Sequence, residues 1–404
     1  MSTRELTVAT STSTTLTASM ITLECDADAA PIRIGGLGPM RSFVGMEDGI
    51  RAIVEKANRT CIGGRKLDFV GVRDDGGDPT RNLELARSLV EDDHVFAIIA
   101  TSEALLPATT DYLTSRKIPF FGWGFMPGFC GKDAWGYGFN GCVSAFDLGL
   151  SQRTDGSLVE PIAALLHKDV DTMSVAIFRS DSASGSYADA QLSAMFAKSQ
   201  VVAKIPVPVQ YNGDYAPYVS VVKEKHPDAV MIASDFTTVL RVRAAIAQTG
   251  YDGVVYDSVT YDPGFLESSP GAAAAMEHGF IVTQIPAAED NSIAIGQLTS
   301  DLRSSGSTLP IITEGASLGY WSTDLLRQML LATAAKGQVT IDNFRKTVEG
   351  AFESVAIEGG PGAIRFPSGH VQNVPCAGVV QVSGGKYKSV TPFACYDLRP
   401  AKST

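Results

Sequence analysis

Side chains able to do chemistry are sparse in this 404-residue chain, and their spacing excludes most reactions. The five histidines, His94, His167, His226, His278 and His370, include no pair at the i, i+4 separation of a helical zinc site, so each reads as a surface or capping residue. Neither a GxxxxGK(S/T) phosphate loop nor a GxSxG nucleophile elbow occurs. Gly35-Gly36-Leu37-Gly38 opens like a dinucleotide fingerprint but lacks the third Gly and the acid that follows, and reads as a tight strand-to-helix turn. Asp74 and Asp75 pair two carboxylates in RDDGGDP, yet Asp78 and Pro79 behind them spell a helix cap and first turn. No catalytic set, metal site or cofactor is expected, and the chain reads as a binding protein, not an enzyme.

Six cysteines, an even number with no CxxC pair, remain: Cys25, Cys61, Cys130, Cys142, Cys376 and Cys395. Cys130 and Cys142 bracket a loop rich in Gly and aromatics, and Cys376 and Cys395 flank a hairpin, so each pair has the spacing of a local disulfide. Buried free thiols are the alternative. Disulfides would place the chain in an oxidising compartment.

Composition narrows the class further. Lys and Arg number 33 against 44 Asp and Glu, a net charge of −11, which argues against a nucleic-acid partner because nothing neutralises a phosphate backbone. At 45% hydrophobic residues the chain is not a disordered one. No run approaches the roughly 18 apolar residues of a membrane span, so a soluble or surface-tethered protein is expected. Residues 1–31 hold one basic side chain, Arg4, and a Ser/Thr-rich run in which Leu16, Met20, Ile21 and Leu23 form no continuous apolar core. They read as a leader or flexible tail. Cys25 invites lipid attachment, but Glu24 stands where a small residue is required.

From residue 32 short β-branched runs alternate with amphipathic stretches, the pattern of parallel sheets covered by helices. Strands are expected at 32–36, 67–73, 95–100 and 118–122, with helices near 44–57, 82–91 and 103–115 between them. A loop over 125–147 interrupts the rhythm. It resumes with strands at 173–178, 201–207, 229–233 and 254–257 and helices near 156–166, 187–197, 215–225 and 237–248. A strand at 279–286, helices at 315–335 and 340–352, and a β segment over 364–393 turning at Gly384-Gly385 complete the chain. The expected fold is therefore α/β, with two doubly wound lobes.

Four stretches, in order, resemble the type I periplasmic binding proteins, specifically the branched-chain amino-acid-binding branch of ABC importer solute receptors. They are IRIGGLGPMRSFVGMEDGIRAIVEKAN, VGVRDDGGDPTRNLELARSLVEDDHVFAIIATSEALLPA, DAVMIASDFTTVLRVRAAIAQTGYDG and GPGAIRFPSGHVQ. The resemblance spans residues 31–395 and implies a hinge of about three crossovers, with lobe one at 32–153 plus 287–354 and lobe two at 154–286 plus 355–398. It also implies a receptor outside the cytoplasm, in the periplasm or on the outer face of the envelope, that serves ABC permease subunits as a monomer. Alternatives are a ligand-sensing module of the same fold and, from another class, an α/β hydrolase.

In open α/β sheets ligands bind beyond the carboxyl ends of strands. The candidates in lobe one are Met40, Arg41 and Phe43, then Thr101, Ser102 and Glu103, then Trp123 and Gly124. The family holds its ligand's carboxylate with the Ser after the third strand and backbone N–H groups after the fourth, places that Ser102 and Gly124 match; a plain helix cap is the other reading of Ser102. Lobe two offers 181–185 with Ser184, Ser234, Asp235, Phe236 and 258–261 with Tyr261. Where an amino-acid binder places a Glu for the ammonium, this chain has the neutral Ser258, Val259 and Thr260, leaving Asp235 or Asp257 as substitutes. Arg41, Trp123, Phe236 and Tyr261 together suit a carboxylate on an apolar or aromatic body. A third disulfide, Cys25 to Cys61, follows from the first helix running back toward the start of the first strand.

Overall fold

A computed structural model describes residues 25–208 and 211–402, so most of the expected leader lies outside the described residues. Up to the first crossover the elements are β1 (Ile32–Gly38), α1 (Met46–Asn58), β2 (Leu67–Asp74), α2 (Pro79–Glu91), β3 (Ala97–Ala100), α3 (Pro107–Ser115), β4 (Phe120–Gly122), β5 (Gly136–Gly138) and β6 (Arg153–Thr154). The second body holds α4 (Glu160–Leu165), β7 (Val175–Ser180), α5 (Ala183–Ala194), β8 (Val201–Val207), α6 (Ala216–Lys225), β9 (Ala229–Ala233), α7 (Phe236–Ala247), β10 (Val254–Asp257), α8 (Pro263–Ser268), α9 (Pro270–Met276) and β11 (Phe280–Thr283). The chain then returns through α10 (Ile293–Ser304), α11 (Glu314–Ala334), α12 (Ile341–Glu349) and the short pair β12 (Phe352–Glu353) and β13 (Arg365–Phe366). It ends on β14 (Cys376–Ser383), β15 (Lys386–Cys395) and β16 (Arg399–Pro400).

Two sheets result. The first has the order β2-β1-β3-β4-β5 with every pairing parallel, and the second the order β15-β14-β11-β10-β9-β7-β8, antiparallel only at β11–β14 and β14–β15. The expected α/β fold with two doubly wound parallel sheets is therefore present. Apolar residues on successive turns set each helix on its sheet: Met46, Ile50, Ile53, Val54 and Ala57 bury one face of α1. They join Ile34, Ile99, Phe121, Leu326 and Phe344 in the core of the first lobe. A separate cluster of Val175, Ile177, Met231, Tyr256 and Val379 lies on one face of the second sheet. Each such side chain, fully buried, contributes about 1.5–3 kcal/mol.

The structure differs from expectation at particular elements. Three helices, α8, α9 and α10, were not anticipated; the first two are one or two turns long and start at prolines, too short to show a helical period. The helix expected from 103 begins at Pro107, because Ser102 and Ala104 form a turn first, with Ala104 N–H donating to Ser102 Oγ at 3.0 Å. Residues 355–374 pack on the first lobe rather than the second: Ile364 and Phe366 enter its core, and Cys142 N–H donates to Gln372 O at 3.1 Å. His94, His167, His226 and His278 are exposed, each with a positive φ near a helix or turn end, but His370 is fully buried, its Nε2 3.0 Å from Glu349 Oε1. Disulfides join Cys25 to Cys61, Cys130 to Cys142 and Cys376 to Cys395.

Three crossovers connect the two bodies, and one buried carboxylate meets all of them. Asp155, on the first, accepts from Asn373 Nδ2 on the third at 2.7 Å and from Gln284 Nε2 on the second at 3.4 Å. Its other oxygen accepts from Ser157 N–H at 2.7 Å. Burial raises its carboxyl above the usual carboxylate range, and the bonds from Ser157 and Asn373 pull it back. Asp155→Ala leaves Asn373 buried without its acceptor and is expected to lower the unfolding free energy by about 1–3 kcal/mol, read from urea denaturation at constant slope.

Candidate functional site

Strand-end loops from the two lobes approach each other near the start of α11. The loop after β1 packs on the start of α11. Thr313 caps that helix, its Oγ accepting from Ala316 N–H at 3.1 Å while donating to Val44 O at 2.6 Å. Opposite it, α8 of the second lobe begins with Asp262, which caps its helix by accepting from Phe265 N–H at 3.0 Å. The two lobes come close at this edge: a Cβ added to Gly264 would lie 3.6 Å from Ile311 Cδ1.

The expected lobe-one residues divide by what they have left to offer. Thr101 continues the ladder of β3, its N–H donating to Leu37 O at 3.0 Å, and its side chain is 3% exposed with a hydroxyl that has no partner. Ser102 is also buried; its oxygen accepts from Ala104 N–H, and its proton remains free to donate. Trp123 is half-buried against the first core and stacks on Phe125 with ring centroids 5.2 Å apart, while its indole N–H is buried without an acceptor. Glu103 remains exposed, and Arg41 is exposed without an ion pair or side-chain hydrogen bond among the described residues. Phe43 is half-buried beside α11, and Met40 is held through its N–H on Asp74 Oδ1 at 3.1 Å.

Gly124 does not offer the backbone donor expected of it. Its N–H is spent on Asn140 Oδ1 at 2.8 Å, and a Cβ there would fall 1.5 Å from Gly141 O, so the glycine serves the close approach of two chain segments. Tyr261 is likewise removed from the cleft. It is 3% exposed in a core with Tyr387 and Met276, its hydroxyl donating to Glu289 Oε2 at 2.7 Å and accepting from Ala288 N–H at 2.8 Å. Asp257 is fully engaged by Arg243 at 2.5 Å and by Thr260, and has nothing left for a ligand.

In the second lobe Asp235 caps α7, accepting from Thr238 N–H at 3.0 Å and Thr238 Oγ1 at 2.6 Å. Phe236 and Phe265 meet edge to face at 4.6 Å, both half-buried, and supply an aromatic wall. Ser234 shares a 2.7 Å hydrogen bond with Ser180. Ser184 lies in the first turn of α5, and its side chain is outside the described part of the structure.

Two acids define the electrostatics: Glu103, already a candidate, and Glu314, which the sequence reading passed over. The side chain of Glu314, the first residue of α11, has no ion pair or hydrogen bond among the described residues; burial first, then the charges of Asp262, Asp257 and Glu103, push its carboxyl up to about 8. Glu103 is raised as well, by desolvation first and then by Asp75, with its own backbone N–H opposing. A signal for Glu314 existed in the sequence: one acid opens a helix whose next turns are otherwise Gly, Ala, Ser and aromatics. It reads there as a favourable partner of the helix dipole. A groove of about 640 Å³ runs along α10 and the 311–312 loop, with Thr299 on it bonded to Ile295 O and Ser292 to Gly359 O.

The Glu314 carboxyl titrates near 4.5 when unfolded and about 8 when folded, so folding favours its protonated form. Stability is then greatest below the unfolded value and declines as pH rises toward 8. Glu314→Gln is expected to flatten the decline between those limits and to raise the urea midpoint at pH 8 above that of the parent protein. Parallel pH profiles of the two proteins would refute this.

With this geometry in place, comparison with known proteins is informative. The family model described as Periplasmic binding protein matches residues 31–386. None of the curated proteins matches. Among solved structures, a solute-binding protein of an ABC transporter from Rhodopseudomonas palustris BisB5, in complex with 3,4-dihydroxybenzoic acid, is similar with a TM-score of 0.67 at 19% identity, over 91% of this chain and 98% of that one. A fatty acid ABC transporter substrate-binding protein from Thermomonospora curvata gives a TM-score of 0.71 at 15% identity over 93% and 95%. An R. palustris solute-binding protein in complex with benzoate gives 0.61 at 16% over 93% and 100%. At these identities the structures share the fold. The family model, covering most of the length, shows the rest: this chain belongs to the periplasmic binding protein family.

Proposed function

We propose that the chain is a solute receptor outside the cytoplasm that delivers a small molecule to the permease of an ABC importer. The solute class is a small carboxylate-bearing apolar or aromatic molecule or a branched-chain-type amino acid, held between the lobes. The observation that carries this reading is the pair of idle donors at the carboxyl edge of the first sheet. The Thr101 hydroxyl and the Trp123 indole N–H are both buried without an acceptor, and an indole N–H can only donate. Leaving such donors unpaired costs about 1–3 kcal/mol each, a cost that a ligand carboxylate or carbonyl removes.

Further support comes from the walls. Trp123 with Phe125 on one side and Phe236 with Phe265 on the other give flat apolar surfaces to a ring or a branched chain. Related structures hold benzoate and 3,4-dihydroxybenzoic acid, and another is a fatty acid transporter's receptor, all carboxylates. The three disulfides fit an oxidising compartment, the periplasm or the outer face of the envelope. The asymmetry of two lobes with three crossovers suits hinge closure on the solute, with the protein acting as a monomer and a permease as its partner.

Thermal-shift and titration measurements with leucine, isoleucine, benzoate, hydroxybenzoates and short fatty acids test the reading. A true ligand at a hundred times its Kd stabilises the folded state by about 2.7 kcal/mol, a shift of several degrees. Trp123→Ala is expected to weaken that ligand at least tenfold. A panel in which no member raises the melting temperature would count against a small-carboxylate receptor.

A further inference from the structure

Each crossover changes allegiance from one lobe to the other at a definite residue. On the first, main-chain bonds reach back into lobe one as far as Ser151: Leu148 N–H donates to Ser144 O at 3.2 Å, Gly149 N–H to Phe146 O at 2.9 Å, and the N–H groups of Leu150 and Ser151 to Ala145 O at 2.8 and 3.1 Å. Ser144 is itself fastened to the loop after β4, its Oγ donating to Phe125 O at 2.6 Å. From Gln152 on, apart from a local turn of Arg153 N–H onto Ser151 Oγ at 3.0 Å, the partners lie near the chain's end. Gln152 O accepts from Ala401 N–H at 3.1 Å, and β6 pairs with β16, Thr154 opposite Arg399 and Arg153 opposite Pro400. The second crossover turns over at Asn291, whose φ of 51° is left-handed. Before it, Asp290 accepts from Ser389 Oγ at 2.6 Å and Phe393 N–H at 3.1 Å on β15; after it, Ala294 N–H donates to Glu358 O at 3.1 Å on lobe one. On the third, Val374 N–H donates to Asn140 O of lobe one at 2.9 Å, whereas Pro375 O accepts from Tyr396 N–H of lobe two at 2.7 Å.

Residues 396–402 thus hold two of the three crossovers, and their other fastenings are to lobe two. Arg399 pairs with Glu160, at the start of α4, and through Nη2 with Asp171 at 2.8 Å. Lys402 Nζ meets the same Asp171 at 3.0 Å, and Lys402 N–H donates to Ala194 O, at the end of α5, at 2.9 Å. The Arg399 stem lies on the first crossover, since a Cβ on Gly156 would fall 3.0 Å from Arg399 Cδ. At the root of the segment the Cys376–Cys395 disulfide closes β14 onto β15. Thr154 and Gly156, the two neighbours of Asp155, are therefore both seated on this segment. Asn373, the 2.7 Å donor to Asp155, belongs to lobe one through its bridge to Gly141.

We propose that residues 396–402 are a strap that makes Gln152–Gly156 and Pro375 part of lobe two, and so confines the bending of the first and third crossovers to the Ser151–Gln152 and Val374–Pro375 junctions. Turning Thr154 against lobe two breaks the β6–β16 ladder, the Ala401–Gln152 bond and the seating of Arg399 together, whereas rotation at the junctions leaves all of them in place. A hinge of this kind concentrates the φ/ψ change in a few residues. Without the strap Gln152, Arg153 and Thr154 lose these main-chain partners, and the bend spreads over them. The proposal rests on the two-lobe receptor reading only in taking the motion to be hinge closure; the identity of the solute does not enter it.

Interlobe distances in the solute-free protein test this, read by pulsed electron resonance between spin labels replacing Glu84 on α2 and Lys223 on α6, both exposed. The labels are carried on unnatural side chains because all six cysteines are in disulfides. A chain ending at Asp397, and the full chain with Arg399→Ala, should each give a broader distance distribution than the parent, the shortened chain the broader of the two. Amide hydrogen exchange over residues 152–155 should accelerate at least tenfold in the shortened chain and measurably in Arg399→Ala, while the amides of β3 and β9 keep the parent's rates. Faster exchange with an unchanged distance distribution would make the segment a local cover and overturn the strap, and so would unchanged exchange. If the shortened chain does not fold, Arg399→Ala decides by the same two readings. Failure of every solute in the panel to bind would count against the receptor reading alone, because these distances are measured without a solute.

Discussion

One buried carboxylate holds the two lobes in register. Asp155 receives hydrogen bonds from the second and third crossovers while sitting on the first, so the three strands of chain that join the lobes meet at a single acceptor. Everything proposed for the cleft depends on that meeting point, because the loops that face a solute belong to different sheets. A carboxylate with several donors is a firm node, yet the longer of its bonds, 3.4 Å to Gln284, leaves one crossover less tightly held than the other. That is a suitable place for a hinge: tied firmly along one segment and loosely along another.

From this node the site is assembled by two further contacts, one within a lobe and one between lobes. Inside the first lobe α1 and α11 touch backbone to backbone. A Cβ on Gly49 would lie 2.0 Å from Ala316 O, and one on Gly319 would lie 2.3 Å from Met46 O. This approach fixes the start of α11, and with it Glu314, against the loop after β1, although more than 250 residues separate them in the chain. The second contact, Gly264 against Ile311, brings Asp262 to the same edge. Burial there raises the carboxyls of Glu103 and Glu314, which have no basic partner among the described residues.

Much of the architecture was legible in the sequence because it rests on local pattern. β8, β9 and β10 begin and end at the residues that their β-branched runs mark, and the cap at Asp78 follows from residue type and position. The site was legible only in part. Thr101, Ser102 and Trp123 were candidates because they directly follow strands, and the structure puts them there. Tyr261 and Gly124 satisfied the same rule and were misplaced, since position after a strand does not tell whether a side chain turns into a core, as Tyr261 does beside Tyr387, or whether a backbone N–H is already spent. Glu314 escaped for the opposite reason. Its neighbours in space come from three distant segments, and in sequence it is only an acid at a helix start. The buried His370, bonded to Glu349 and set against Tyr137, escaped in the same way.

The central claim is that a small solute binds between the lobes with its acceptor group on the first sheet's idle donors. A crystal structure of the protein with the tightest-binding member of the solute panel tests it most directly. The account predicts density between Trp123 and Phe236, with an oxygen of the solute within hydrogen-bond distance of Thr101 Oγ1 or Trp123 Nε1. A solute seated in the groove along α10, with both donors still unpaired, would contradict it.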